Sequence, residues 1–272
     1  MPWPTAELQA SLQALLPGLQ VQVVGETDST NTRLVERARA DITPCLLVAE
    51  RQTAGRGRLG RAWQARPGAS LTFSLGLPLA PQSWQGLSLA VGLALADALD
   101  PPGRRPPGVP PAIGLKWPND LWLWDGPGQG RKLGGVLIET SGSSASRHCV
   151  VGVGLNIAAV PAPDGTATAC LQDIDPGASP QTALAAAAAP LLQALLRFQD
   201  EGFAPQVGAY ALRDLLRGQP VHTSGNPPLA GLADGVDEEG ALRLRGPGVH
   251  RVVSGEVSVR FANTPLPATP SC

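Results

Sequence analysis

Leu71, Phe73, Leu75 and Leu77 alternate with Ser70, Thr72, Ser74 and Gly76, the two-residue period of a strand with one buried face. Over 85–99 the apolar positions instead recur at three, four and seven residues (Leu87, Ala90, Val91, Ala94, Leu95, Ala98, Leu99), which predicts a helix ended by Pro101-Pro102. The same periodicity predicts helices over 5–16, after Ser29 with Leu34, Val35 and Ala38 on one face, over 181–199 and around 205–216. Strands are predicted at 21–24, 45–49, 113–117, 120–124, 132–139 and 147–157; the Gly/Pro/Ser turns at 125–130 and 141–146 favour antiparallel neighbours. In the last strand Val151, Val153, Leu155 and Ile157 alternate with Gly152, Gly154 and Asn156, so one face is apolar and the other nearly bare. A bare face suits a flat ligand or the close approach of another backbone element.

From Gly218 the pattern becomes short β runs with turns at 237–240 and 246–248 and a core of Leu242, Leu244, Val252, Val257 and Val259, enough for a small β-barrel. The expected organisation is an α+β domain over 1–217, a small β domain over 218–263 and a disordered Pro/Thr-rich tail over 264–272. Six prolines in 101–112 predict a semi-rigid connector, and 158–180 reads as loop. Trp117, Trp122 and Trp124 read as core or strand-face aromatics rather than ligand stackers.

The chain has 272 residues, 43% of them hydrophobic, which supports a proper core, and a net charge of −1, which argues against a general attraction to nucleic acid or membrane. Cys45, Cys149, Cys170 and Cys272 lie far apart, and His148, His222 and His250 lack ligand spacing, so no zinc site or disulfide framework is read. The first residues lack a basic-then-apolar signal pattern, and the longest apolar candidate, 183–196, is interrupted by Pro190 and Gln193. The expected compartment is the cytoplasm.

Against this neutral background, Glu50 to Trp63 concentrates chemistry: Gly55, Gly57 and Gly60 alternate with Arg56, Arg58 and Arg61 directly after an apolar strand. Glycines let the backbone approach an anion, and guanidinium forks pair with phosphate or carboxylate. The spacing also satisfies G-x-G-x-x-G, but Arg61 to Gly68 has no helical period, so a dinucleotide-binding turn is excluded. Of 21 basic residues only Lys116 and Lys132 are lysine. A compact ammonium in a confined place is the physical reason for lysine to persist where arginine otherwise prevails. Ser29 or Thr30 reads as a helix N-cap, a role compatible with presenting the helix N-terminus to a ligand.

In order along the chain stand Thr27-Asp28-Ser29-Thr30-Asn31, the loop 50–63, Lys116-Trp117-Pro118-Asn119-Asp120, Lys132-Leu133-Gly134-Gly135-Val136-Leu137-Ile138-Glu139 and Gly152-Val153-Gly154-Leu155-Asn156. Together they closely resemble the bacterial biotin–protein ligases over about 20–262, and residues 235–242 and 255–258 resemble that family's SH3-like C-terminal domain. The resemblance implies an α+β fold with a mixed, mainly antiparallel sheet of the class II aminoacyl-tRNA synthetase and biotin ligase type, followed by an SH3-like barrel. It implies ATP-dependent activation of biotin to biotinyl-5′-AMP, with Mg²⁺, and transfer to a lysine of the biotin carboxyl carrier protein of acetyl-CoA carboxylase.

Carried onto this chain, the resemblance gives Ser29, Thr30 and Asn31 the ureido head of biotin and places Gln52 near the bicyclic ring. Gly55, Arg56, Gly57 and Arg58 would close over the valerate carboxylate and the phosphates, with Trp63 over the tail. Lys132 would meet carboxylate and α-phosphate, Gly134 and Gly135 would leave ligand space, and Arg61, Asn119 and Asn156 would serve ATP. Lys132, Arg58 and Asp120 form the expected catalytic set, with Asp120 either contacting Mg²⁺ or orienting the attacking amine; the metal ligands and any general base are unassigned. Leu59 stands where some members carry a further basic residue. Only about 20 residues precede the first motif, too few for the winged helix of members that bind DNA, so no DNA partner and no membrane partner are expected. A homodimer is among the assemblies the resemblance allows. Two rival readings are a lipoate or octanoate ligase of the same fold and a non-catalytic Arg-Gly module binding RNA.

Overall fold

The computed structural model describes residues 2–104, 108–126, 129–143, 146–159, 168–224, 227–246, 248–253 and 259–261. A seven-stranded sheet is ordered β1 (Gln20–Thr27), β2 (Cys45–Gln52), β3 (Ser70–Pro78), β7 (Ser146–Asn156), β6 (Gln129–Ser143), β5 (Asp120–Gly126) and β4 (Ile113–Lys116). β1 and β2 are parallel, joined by the crossover helix α2 (Thr30–Arg37), and the remaining pairs are antiparallel. Helices α1 (Thr5–Leu15), α3 (Leu87–Leu99) and α4 (Pro180–Glu201) bury their apolar sides with Phe73, Leu75, Val151 and Val153 in one continuous core. The helix α2 is too short to cover the opposite face; it seats Leu34 on Cys45, Leu47 and Val150 and leaves the rest of that face to loops.

Cross-strand pairing fixes what lies on that second face, since residues opposite one another share a side of the sheet. Val24, Ala49, Thr72, Gly154, Gly135, Asp120 and Lys116 are successive partners from β1 to β4. Polar and bare positions predicted on separate strands thus form one row beside α2.

The C-terminal part is a five-stranded antiparallel, SH3-like sheet ordered β11 (Val249–Val252), β10 (Leu242–Arg245), β9 (Ala230–Val236), β8 (Pro220–Thr223) and β12 (Val259–Phe261). Leu242, Leu244 and Val252 are buried as expected, whereas Val257 and the tail 264–272 lie outside the described residues. Trp117, only 2% exposed, donates its indole N–H to the Gly240 carbonyl at 3.0 Å and ties the two sheets together. Gly240 at φ +75° lies so close to Gly86 that a Cβ there would stand 2.6 Å from the Gly86 Cα.

One expectation is corrected. Helix around 205–216 is confined to α5 (Val207–Ala211) after a short 3₁₀ turn, because the next residues pair with the sheet edge instead: Leu115 N–H donates to Arg213 O at 2.7 Å and Leu215 N–H to Leu115 O at 3.0 Å. The buried Arg213 guanidinium anchors this segment on Asp97 and Asp100. The helix expected over 181–199 is α4, which runs through Pro190 with Ala187, Ala188, Leu191 and Leu192 buried on either side. Packing of that face offsets the roughly 3 kcal/mol an internal proline costs. Among the described residues no helix is long and apolar enough to cross a membrane.

Asp214 is 4% exposed, and its Oδ2 has no hydrogen-bond partner among the described residues. Burial pushes its carboxyl from 3.8 up to about 6, against the Leu216 and Arg217 N–H groups that favour the anion. The native state therefore binds the extra proton between these values, so this group's contribution to stability is lost as pH rises through that window and is flat above it. Asp214→Asn should stabilise the fold at pH 7 by up to about 3 kcal/mol, with the gain vanishing near pH 4. Urea unfolding of both proteins across this range checks it; a gain that persists at pH 4 contradicts the assignment.

Candidate active site

The N-terminus of α2 is built by its own side chains. Ser29, in extended backbone, caps the helix by accepting the Thr32 N–H, and Asp28 accepts the Ser29 N–H at 2.7 Å, which holds the Asp28 carboxyl below its ordinary range. Thr30 donates its N–H to Gln52 Oε1 at 2.8 Å, joining α2 to the end of β2. Ser74 Oγ, on β3, lies 2.6 Å from Asn31 Oδ1 and 2.7 Å from Thr30 Oγ1. A single hydroxyl proton serves one of these at a time, and the amide oxygen, which can only accept, requires it. Asn31 donates to Glu139 Oε2 at 2.9 Å and to the Leu137 carbonyl at 3.2 Å, and Arg56 reaches Glu139 from the loop at 3.1 Å. The result is a buried cradle of hydroxyl, amide and carboxylate groups.

Gly152 and Gly154 explain how this cradle reaches the sheet. A Cβ on Gly152 would stand 2.1 Å from Asn31 Oδ1, and one on Gly154 would stand 2.4 Å from the Trp63 indole. The bare face of β7 is thus filled by two protein side chains, not by another backbone element and not left wholly open for a flat ligand. The loop that brings Trp63 there is a pinched hairpin: Trp63 N–H donates to Gly55 O at 2.8 Å, Gly57 N–H to Arg61 O at 2.7 Å, and Arg56 bridges Ala62. Gly55 is required at the pinch, since a Cβ would meet the Trp63 carbonyl at 2.4 Å. Leu59 (φ 58°) and Gly60 (φ 70°) form the left-handed tip, with Leu59 exposed. The Trp63 Nε1 is buried without a hydrogen-bond partner among the described residues.

Below the same loop, charge gathers. Lys132 Nζ is 2.8 Å from Asp120 Oδ1, and Arg58 donates to Asn119 Oδ1 at 3.0 Å. Burial disfavours the Arg58 cation, and the Asp120 carboxylate counters that by its charge, while exposed Arg61 nearby adds repulsion. Gly135 gives the pair its room: a Cβ there would sit 3.1 Å from Asp120 Oδ1 and 3.7 Å from Lys132 Nζ. Two cations and one anion converge beside a polar cradle, an arrangement that neutralises two anionic groups brought together and stabilises charge developing between them. Among the described residues no group of three His, Cys, Asp or Glu could hold a metal by itself. A carboxylate beside an amide oxygen is, however, a donor set for Mg²⁺ when substrate phosphates complete the shell.

The expected site residues are therefore brought together with two differences. Gly134 faces the core side, where a Cβ would collide with the Gly154 carbonyl at 2.4 Å and with Leu155, so its missing side chain serves strand packing rather than a ligand. Asn156 is buried and donates to the Ala169 carbonyl at 3.0 Å, clipping the segment after residue 168 to the end of β7. Glu139 and Ser74 were missed as site residues. Glu139 stood at the end of the Lys132–Glu139 run, and its even spacing from Gly135 and Leu137 was the available signal.

The description of the Biotin/lipoate A/B protein ligase family matches residues 24–156, and that of the Biotin protein ligase C terminal domain matches residues 218–260. The Mycobacterium tuberculosis biotin–[acetyl-CoA-carboxylase] ligase is 38% identical over 236 residues, covering 83% of each chain. The Escherichia coli bifunctional ligase/repressor BirA is 33% identical over 255 residues, covering 91% of this chain and 76% of that one. Among solved structures, the Aquifex aeolicus biotin protein ligase in complex with biotin and ATP superposes with a TM-score of 0.73 at 29% identity, over 89% of this chain and 99% of that one. With motifs, both sheets and close relatives in agreement, the chain belongs to the biotin protein ligase family.

Proposed function

We propose that this protein is a biotin–[biotin carboxyl carrier protein] ligase, which activates biotin with ATP as biotinyl-5′-AMP and transfers it to a lysine of the carrier domain of acetyl-CoA carboxylase. The observation that carries the reading is the convergence of Arg58 and Lys132 next to the cradle of Thr30, Asn31 and Gln52. A ureido group offers two N–H donors and a carbonyl acceptor, and the cradle is rich in complementary hydroxyl and amide groups. Arg58 and Lys132 would neutralise the carboxylate and α-phosphate as they approach and stabilise the charge shed by departing pyrophosphate. In our reading Asp120, with phosphate oxygens, would hold Mg²⁺, which would supply charge neutralisation to ATP. The alternative role for Asp120, which is paired with Lys132 at 2.8 Å, is that it would orient the incoming amine once pyrophosphate has left. The cytoplasm is the compartment this reading assigns.

Biotin should support ATP–pyrophosphate exchange, and octanoate or lipoate should be worse by up to ~10⁴-fold, because a plain acyl chain leaves the buried polar groups of the cradle unpaired. Equal exchange with octanoate would move the chain to the lipoate branch of the family. Salt-sensitive RNA binding without any exchange would instead support the RNA-module reading.

Lys132→Arg should lower single-turnover formation of biotinyl-AMP by roughly 10²-fold, since the broader guanidinium keeps the charge but loses the point contact. A near wild-type rate contradicts the role given to Lys132.

Arg58→Gly removes a charged contact and adds backbone freedom in the loop, so biotinyl-AMP should leave roughly tenfold faster. Trapping of radiolabelled adenylate separates its formation from its release; an unchanged release rate would exclude the loop as the cover over the intermediate.

A further inference from the structure

Lys116, the other of the chain's two lysines, has no part in the chemistry above, yet it occupies a built environment. Its Nζ lies 4.6 Å from the centre of the Trp122 ring and 5.9 Å from that of Phe261. The two rings meet edge to face, with centroids 6.4 Å apart at 76°. Trp122 belongs to β5 of the large sheet and Phe261 to β12 of the C-terminal sheet, so the ammonium sits in an aromatic corner formed by both domains. The Trp122 Nε1 is buried with no hydrogen-bond partner among the described residues, so packing and the cation, rather than a hydrogen bond from that nitrogen, position the ring.

Register connects this corner to the site. Lys116 is the direct cross-strand partner of Asp120, and Trp122 that of Lys132. Asp120 and Trp122, two residues apart on one face of β5, therefore stand between the chain's two lysines, and Asp120 is ion-paired to Lys132. A displacement of the corner reaches the Asp120–Lys132 pair through a single strand.

We propose that Lys116 is a positioning residue: its ammonium, clasped by Trp122 and Phe261, locks the last strand of the C-terminal sheet onto β5 and so fixes the Asp120–Lys132 pair for adenylation. The inference rests on the ligase reading for its kinetic consequence and on geometry alone for the clasp. It assigns the C-terminal sheet a task in the first half-reaction. It also sets an expectation different from that at Lys132: a guanidinium stacks on aromatic faces as well as an ammonium does, so arginine at this position should preserve the clasp.

The test compares K116M, K116R, F261L and the double variant K116M/F261L in the full-length protein. K116M should lower kcat for biotin-dependent exchange by roughly tenfold per active site counted by burst amplitude, with KM for biotin unchanged, because misplacement by a fraction of an ångström weakens transition-state contacts while the cradle lies strands away. K116R should stay within about threefold of wild type, and F261L should resemble K116M. The double variant should be no worse than either single one, since both break one contact. The Trp122 indole N–H resonance should shift in K116M and F261L and hold in K116R, with or without turnover. Wild-type kcat in K116M, additive losses in the double variant, an arginine variant as impaired as K116M, or an unmoved indole resonance each overturns the clasp. Absence of exchange in the wild type refutes the ligase reading instead, and the indole resonance and the additivity of unfolding free energies then decide the clasp by themselves.

Discussion

Everything above the large sheet depends on the absence of side chains at Gly152 and Gly154. Asn31 can lie flat on β7, and Trp63 can cover it, only because a Cβ at either glycine would overlap them at 2.1 and 2.4 Å. Once Asn31 is seated, its amide links Glu139 of β6 to Ser74 of β3, and Glu139 in turn receives Arg56 from the loop. Helix α2, whose sequence buries little apolar surface, is thereby held by polar contacts to three strands as much as by Leu34. An alanine at either glycine would cost more than a local clash, since it would lift the cap, the loop and the helix from the sheet together.

Electrostatics divides the site into two regions with different demands. In the cradle, hydroxyls and amides satisfy one another, so a ligand must replace good hydrogen bonds with equally good ones, a condition that favours selectivity over raw affinity. Around Lys132 the balance is ionic. Arg58 is partly desolvated beneath the loop and is kept charged with help from Asp120, which also neutralises Lys132.

Much of this was legible in the chain. Alternation at 70–77 and 147–157, the helix at 85–99 and the change of texture at Gly218 correspond to β3, β7, α3 and the second sheet, because those segments bury one face and their periodicity survives packing. The motifs named Lys132, Asp120, Arg58 and Asn119, but their pairing, Lys132 with Asp120 and Arg58 with Asn119, emerges only in the fold. What a one-dimensional pattern does not carry is which non-local surface claims a residue. The segment after Ala211 has helical periodicity, yet the unpaired edge of β4 and the Arg213 carboxylate contacts pull it into a bridge with Leu115. Gly134 and Gly135 are adjacent and look equivalent, but the pleat sends one to the core and the other to the site. Ser74 and Glu139 read as ordinary polar positions until the register places them under Asn31.

The pairing of β3 with β7 joins Ser70 to Asn156 across a long stretch of intervening chain. During synthesis from the N-terminus, β1, β2 and β3 can assemble early, but the inner edge of β3 faces no partner until residue 156 has left the ribosome. That edge is apolar on one side and hydrogen-bond competent along its length, the combination that recruits foreign strands. Ser29, Thr30 and Asn31, although made first, have in that interval only the part of their floor that β2 and β3 supply. The nascent chain therefore carries these three residues for about half of its translation without the β6 and β7 part of their floor, and the completion of one hairpin, β6 with β7, both caps the vulnerable edge and completes the cradle in the same step.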